Sequence, residues 1–461
     1  MKHARVGWLV IGVASLLLGS AAAAQPLDPA ARGPSPGSAD DLAPLLAQPR
    51  RCGDMGSADE AGPLRLGAVL RAVICNHPGV RRGEGLATQA QASLDQAQAQ
   101  RWPSLGVSAG ADVNRGSSTG WGAALNVQWV LFDFGRRSED AVQAGQALSA
   151  VLDEQRVEVL NAVGNAALLY AAAQAAFGRL DAASINLRTA GDSARIADAR
   201  HGAGASTMNE MLQAKTALAQ ARLEQSRAMG QWLSARGALA VAMRLPPSAP
   251  LEFAPTEFTD DASLDSPVAI DALVDEARAG HPRVSAARAR LAQAQARASS
   301  VQAERWGRVS LNASSGRSRP SYGAEVETTG SAQVTWSVPL FDGGLLSARK
   351  SDAQGQIQTS QVTLEDTISQ VELQVWQQAN ALISERDARR NSKAVLDSAE
   401  MSLRVATERF RLGVGNFGDV LIAQNSAANA RFQSVESQAN LRREQLRLAA
   451  AVGRFGPLLR F

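Results

Sequence analysis

The sequence predicts a mainly α-helical fold with a small β part: long antiparallel coiled-coil helices and two β-hairpins per chain, with the whole plan duplicated. The first observation behind this is an internal repeat. "NHPGVRRGEGLATQAQASLDQAQAQRWPSLGVSAG" from Asn76 returns as "GHPRVSAARARLAQAQARASSVQAERWGRVSLNAS" from Gly280, with His77 and Trp102 displaced by 204 positions onto His281 and Trp306. The second is a pair of long stretches poor in Pro and Gly and rich in Ala, Gln, Arg, Glu and Leu, the better helix formers. The third is a pair of short segments in each half that alternate apolar with small or polar residues, the period of a strand.

The chain opens on a targeting pattern. Lys2, His3 and Arg5 form a basic region, Trp8 to Leu18 an apolar one, and Ala22-Ala23-Ala24 a small-residue cleavage site, so residues 1–24 read as a signal peptide. The competing reading is an uncleaved anchor. Beyond it no run of 18 apolar residues occurs, too few for a membrane-spanning helix. Residues 25–63 form an N-terminal extension. The two cysteines, Cys52 and Cys75, read as a disulfide in an exported chain, with free buried thiols as the alternative. The bond would close a loop worth roughly 3 kcal/mol. Two cysteines and four histidines do not supply a closed metal site.

The first repeat spans 64–245 and the second 267–456, joined by a proline-rich linker at 246–266. In each, a helix runs up to a tryptophan, over 78–102 and 282–306. Strands follow at about 104–113 and 121–132, and again at about 308–316 and 331–341. Leu105, Val107, Ala109 and Ala111 alternate with Ser and Gly, as do Trp121, Ala123, Leu125, Val127 and Trp129 with their neighbours. Past the strands Phe132, Asp133 and Gly135 map onto Phe341, Asp342 and Gly344 at an offset of 209, so the second repeat holds five extra residues between Trp306 and Phe341. The aspartates at these strand exits are placed to cap the helices that follow. Those helices, 134 to about 203 and 343 to about 412, would each run on the order of 100 Å. Leu364, Ile368, Val371, Val375 and Leu382 lie 4, 3, 4 and 7 apart, a coiled-coil seam. Returning helices follow at 207–243 and 417–452.

Strands of this length suit a tilted crossing of a bilayer. Trp102, Trp121, Trp129, Trp306 and Trp336, five of the eight tryptophans, lie on or beside them, and Phe132 and Phe341 close each pair, as in an aromatic girdle. A soluble sheet packed on one face is the competing reading. In lipid, a sheet must close, and four strands are too few to do so, so the chain would have to oligomerise.

Charge excludes one class of partner. With 47 basic and 44 acidic residues the net charge is +3, so the pI near 9.2 is not the footprint of nucleic-acid binding. "RLGVGNFGDV" spells G-x-G-x-x-G through Gly413, Gly415 and Gly418, but a helical pattern precedes it where a dinucleotide fingerprint needs a strand. Gly106 to Gly110 matches G-x-S-x-G, yet Ser108 falls in mid-strand and has no triad partners. His77 and His281 each precede a proline at a helix start, a turn or capping position. No convergent catalytic set emerges, and no cofactor is implied.

Together the duplicated helix–hairpin–helix plan, the "LFDFG" and "LFDGG" strand exits and "RFRLGVGNFGDVLIAQ" resemble the TolC family of outer-membrane channel proteins, over about Leu64 to Arg454. The resemblance implies a homotrimer: a twelve-stranded barrel in outer-membrane lipid, continued by an α-helical tunnel across the periplasm. It implies as partners a periplasmic adaptor and an inner-membrane transporter, an ABC transporter or an RND pump, with proteins or small toxic compounds as cargo. Within the family the chain looks closest to members serving type I secretion. The resemblance also makes the glycine-rich segment the turn at the periplasmic aperture. There Asp419 matches the family's first aperture aspartate. Ile422 replaces the second, Phe410 an aromatic hydroxyl and Gly415 a bridging arginine, so an apolar constriction becomes a substitute for ionic closure. Asp419 also reads as an acid at a helix N-terminus, favoured by the macrodipole.

Overall fold

The computed structural model describes residues 64–112, 120–253, 268–319 and 325–453. The expected signal peptide, the N-terminal extension with Cys52, and residues 254–266 of the expected linker lie outside them. Among the described residues, eight α-helices and four strands follow one another in a doubled order. Helices α1 (Leu66–Asn76) and α2 (Pro78–Ala99) lead to strands β1 (Ser104–Asp112) and β2 (Gly120–Phe132). Helix α3 (Arg136–Gly202) descends and α4 (Met208–Ala242) returns. The second set is α5 (Ile270–Gly280), α6 (Pro282–Ala303), a 3₁₀ turn at Glu304–Trp306, β3 (Arg308–Arg319), β4 (Glu327–Ser337), α7 (Leu345–Arg411) and α8 (Phe417–Val452). Helices α3 and α7 are both 67 residues long, and α2 and α6 both 22.

Local chemistry sets the boundaries in both copies alike. The His77 ring nitrogen Nδ1 accepts the Gly79 N–H at 3.2 Å, and His281 Nδ1 accepts that of Arg283 at 3.1 Å, so each histidine caps the helix whose first residue is proline. At the strand exits Asp133 Oδ2 accepts from the Arg137 N–H at 3.1 Å, and Asp342 Oδ2 from that of Leu346 at 2.7 Å. Between aspartate and helix the chain passes through left-handed backbone, at Phe134 (φ 57) and Gly135 (φ 92) in one copy and Gly343 (φ 65) and Gly344 (φ 88) in the other. Glycine takes that conformation freely, whereas a phenylalanine there is strained. Strand β4 begins earlier than the sequence suggests and stops at Ser337, short of Phe341, and β3 runs on to Arg319. Pro339 has no N–H to continue the ladder. Gly307 lies so close to the backbone of Ser337 and Val338 that no side chain fits there.

Among the described residues the four strands form one antiparallel meander in the order β1-β2-β3-β4, with β1 and β4 as its edges. The helices form a wall one layer deep. Helix α3 packs against α2 and α6 and, further along, against α4 and α8, while α7 packs against α6 and α8. Buried alanines keep these seams close: Ala166, Ala167, Ala171 and Ala173 on α3, and Ala423, Ala427 and Ala430 on α8. The expected coiled-coil seam holds, with Val371, Val375 and Leu382 buried and Leu364 and Ile368 partly so. An 18-residue window of α3 is apolar and long enough to cross a membrane, a stretch that the sequence reading passed over. More than half of that window is buried against other helices, as a core helix would be. An aromatic cluster pins the chain entering and leaving the first repeat. Tyr170 donates its hydroxyl to Leu64 O at 3.0 Å and stacks on Phe253, which meets Trp232 edge-on.

His281 is 5% exposed, and burial, aided by the nearby Arg283 guanidinium, lowers its pKa to about 4 from an ordinary 6.5. Its cap bond uses an unprotonated Nδ1, so charging the ring also removes the cap. Between the two values the unfolded chain binds the proton and the folded one does not. Stability is therefore complete above pH 6.5 and falls as pH drops toward 4, by about 3 kcal/mol from this group. Urea midpoints at pH 7 and pH 4.5 should separate for the wild type, and the separation should shrink for His281→Asn, which keeps a capping side chain. Equal separation in both would remove His281 as the source.

Candidate functional site

The sheet has two unlike faces, and register assigns each residue to one. Cross-strand rows Leu105–Val127–Ala313–Ala332 and Trp129–Leu311–Val334 make an apolar face. The rows between them, Ser104–Gln128–Asn312–Gln333 and Gly106–Asn126–Ser314–Ser331, make a polar one. On the polar face Asn126 donates to Ser108 Oγ at 3.0 Å, and the Ser314 and Ser331 hydroxyls lie 2.9 Å apart. On the apolar face Val107 is 77% and Val334 62% exposed, which would be costly against water over a whole sheet. A bulge between Val130 and Phe132 pairs Phe132 with Val309 and so turns it onto the apolar face, in the row of Trp336.

The expected girdle residues gather mainly at the end next to the helices. Trp129 Nε1 donates to Arg101 O at 3.0 Å and Trp336 Nε1 to Trp306 O at 3.4 Å, tying strand to preceding helix in each copy. Phe134 bridges Phe132 (4.9 Å) and Trp306 (6.1 Å), and Arg305 lies over the Trp306 ring at 4.5 Å. Trp102 and Phe341 are exposed beside them. Trp121 stands apart, toward the far end of β2. Asp133 does more than cap: Arg137 Nε donates to it at 2.7 Å while Arg137 also reaches Gln100 O at 3.1 Å. Cys75 is disulfide-bonded near the end of α1; its expected partner Cys52 lies outside the described residues.

At the other end of the wall two helical turns meet. Both close by the same device, a glycine in left-handed backbone after the helix: Gly204 (φ 70) and Gly413 (φ 80). Val414 N–H then reaches back to Arg409 O at 3.0 Å, and Ala205 N–H to Arg200 O at 2.8 Å. Thr207 and Glu210 form a reciprocal capping box on α4, and Asn416 Oδ1 accepts the Asp419 N–H at 2.8 Å on α8. Asp419 sits in the first turn of α8, on the positive end of its dipole.

Of the expected aperture residues, Asp419, Gly415 and Ile422 line one open groove of about 440 Å³ together with Met401, Val405 and Arg409. Ile422 is 68% exposed there. Phe410 turns the other way. It is 3% exposed and meets the fully buried Phe417 edge-on at 5.5 Å, in a tip core shared with Ala194, Ala197, Ala214 and Val420. Sequence reasoning missed the contact that joins the two turns. Arg200, at the end of α3, donates to Phe410 O at 2.5 Å and to Ala205 O at 3.4 Å, with its guanidinium 4.6 Å above the Phe410 ring. Nothing local marks it, because its partner lies 210 residues away. Asn416, whose side chain caps α8, was also not singled out, although Asn before a helix is a usual N-cap residue.

A family model described as "Outer membrane efflux protein" matches residues 69–243 and 273–454, the two repeats. Among curated relatives, Protein CyaE of Bordetella pertussis is 30% identical over 87% of this chain and 86% of its own length. The pyoverdine export outer membrane protein OpmQ of Pseudomonas putida is 25% identical over 73% of this chain and 70% of its own. The crystal structure of the outer membrane protein VceC from Vibrio cholerae superimposes with a TM-score of 0.71 at 21% identity, covering 84% of this chain and 96% of that one. At that identity the likeness speaks for the fold.

Replacing Arg200 by Met keeps the aliphatic stem and removes both carbonyl bonds and the ring contact. A charged hydrogen bond of this kind contributes about 1.5–3 kcal/mol. Amide exchange across residues 410–417 should accelerate in Arg200→Met while the α5–α6 region is unaffected. Unchanged exchange at the tip would mean that the two turns hold without the arginine.

Proposed function

The chain belongs to the outer membrane efflux protein family, and from that premise we propose that it is the trimeric channel-tunnel of a type I secretion system. As a member of the TolC-like channels it is an outer-membrane transport protein that reaches into the periplasm, and not an enzyme. In the proposed assembly three sheets join edge to edge into a twelve-stranded barrel, β4 of one copy beside β1 of the next. The observation that carries this reading is the pair of unpaired strand edges on a sheet with one apolar and one polar face. In hydrocarbon, each unpaired N–H or C=O costs several kcal/mol, and closure by further copies removes that cost. Apolar side chains then meet lipid, and the Ser, Asn and Gln rows line a water-filled lumen.

The helices support the same assembly. The wall's outer flank on α7 exposes Val362, Leu373 and Trp376, and α4 exposes Leu212, Leu223 and Leu233. Such apolar stripes at both margins of a one-layer wall suit helix-on-helix packing between copies. Three tips would then converge, bringing three Asp419 carboxylates around an axis with Ile422 beside them. In this reading the acid sets cation attraction and Ile422 narrows the passage, while Phe410 and Gly413 shape the turn behind them and Gly415 leaves room against Arg409.

The cargo proposed is a protein of the RTX-toxin type, delivered through a periplasmic adaptor from an inner-membrane ABC transporter. The resemblance to the type I branch and the broader, closer match to Protein CyaE support it. The match to OpmQ favours a second reading, a duct for small molecules served by an RND-type pump. Deleting the gene and measuring protein secretion alongside drug sensitivity decides between them: intact secretion with lost resistance overturns the first.

Purified protein in planar bilayers should form discrete, long-lived pores. Asp419→Ala should weaken block by multivalent cations applied from the tip side by about tenfold, as expected when a cluster of like charges is removed. Identical block in wild type and variant would reduce Asp419 to a helix-end acid.

A further inference from the structure

The apolar face of the sheet is interrupted at one place by charge. Arg317 pairs across the ladder with Ala123, and Arg319 with Trp121, so both arginines stand on the apolar face, two positions apart on β3. Thr328, the β4 partner of Arg317, adds a hydroxyl position to the same row. The nearest acid on β4, Glu327, pairs with Ser318 and therefore belongs to the opposite, polar face. Among the described residues neither arginine forms an ion pair or a side-chain hydrogen bond, and Arg319 Nε is withdrawn from solvent with no acceptor. Arg137 and Arg200, by contrast, hold acids or carbonyls.

Their position along the strand identifies what they meet. All four helix–strand junctions lie at the other end of the sheet, so Arg317 and Arg319 are at the end remote from the helices. Trp129 and Trp121 are eight residues apart on β2. That is about 27 Å along a strand, or about 20 Å along the membrane normal at the usual barrel tilt. The Trp121–Arg319 row thus falls at the outer interface when the Trp129–Leu311 row falls at the inner one. Two unpaired guanidinium groups beside a tryptophan at that height, without a facing acid, match phosphates carried on a sugar headgroup.

Resting on the barrel reading above, we infer that Arg317 and Arg319 form a binding site for the phosphorylated glycolipid of the outer leaflet, with Trp121 packed against its sugar–acyl boundary. Each trimer would carry three such sites on its outer rim. The site is a lipid contact on the outside of the wall, separate from the transport path.

Native mass spectrometry of the detergent-solubilised oligomer, with added diphosphoryl lipid A or phosphatidylglycerol, tests this. The wild type should retain lipid A preferentially. The Arg317→Gln/Arg319→Gln pair should lose that retention by about tenfold, and Arg317→Lys/Arg319→Lys should recover part of it. Equal lipid A retention by the Gln pair overturns the site. Equal retention of phosphatidylglycerol and lipid A by the wild type overturns its assignment to the outer-leaflet glycolipid. Bilayer conductance run on the same samples keeps the two readings apart: pores with unchanged lipid retention sink only the site, whereas a wild type without pores removes the barrel and the site with it.

Discussion

Each long helix here touches its neighbours along narrow seams and leaves its other faces open, because the wall is one layer deep. Burial is therefore concentrated in strips of mostly Ala, Val and Leu along α3, α6, α7 and α8 and where α1, α4 and α5 pack onto them. A compact domain of similar length would hide far more of its apolar surface. The margins of this wall stay apolar on α4 and α7, and among the described residues the margins of the sheet on β1 and β4 have no further strand beside them. One constraint therefore acts twice on the same molecule, once through side chains in water and once through backbone groups in lipid. Further copies of the chain, in the proposed trimer, answer both.

With so little core to hold them, the ends of the helices depend on polar devices. Histidine caps start α2 and α6, aspartates lead into α3 and α7, and Thr207 and Asn416 start the returning helices. At the tip, where two turns must hold together without a large apolar interior, Arg200 ties one to the carbonyl and ring of Phe410. The resulting division of labour at the tip is spatial. Phe410 and Phe417 face inward and hold shape, while Asp419 and Ile422 face the groove.

Most of the fold was legible because duplication states it twice. Two helices of 67 residues at a fixed offset, strand pairs with a period of two, and glycines at matching turns all follow from local pattern. The limits of the strands were less legible. Strand β4 ends where Pro339 and the close approach at Gly307 interrupt pairing, and the bulge before Phe132 reverses which face that residue takes. Periodicity alone carries neither. The tip was read by position, yet the direction of Phe410 follows only from the meeting of the ends of α3 and α7 there. Arg200 and the pair Arg317–Arg319 acquire meaning only through partners across the fold, or through the lack of them.

The two strand-to-helix corners share one backbone path but are built from different residues. In the first repeat Phe134 holds left-handed backbone under strain, wedged between Phe132 and Trp306. In the second, Gly343 and Gly344 take the same path with open space around them, beside an almost fully exposed Leu340 and Phe341. One corner is filled by an aromatic ring, and the other is left open and held by Asp342. Around a closed ring of three copies the two kinds of corner would alternate, so that the mouth of the tunnel would be packed at every second junction and bare at the others.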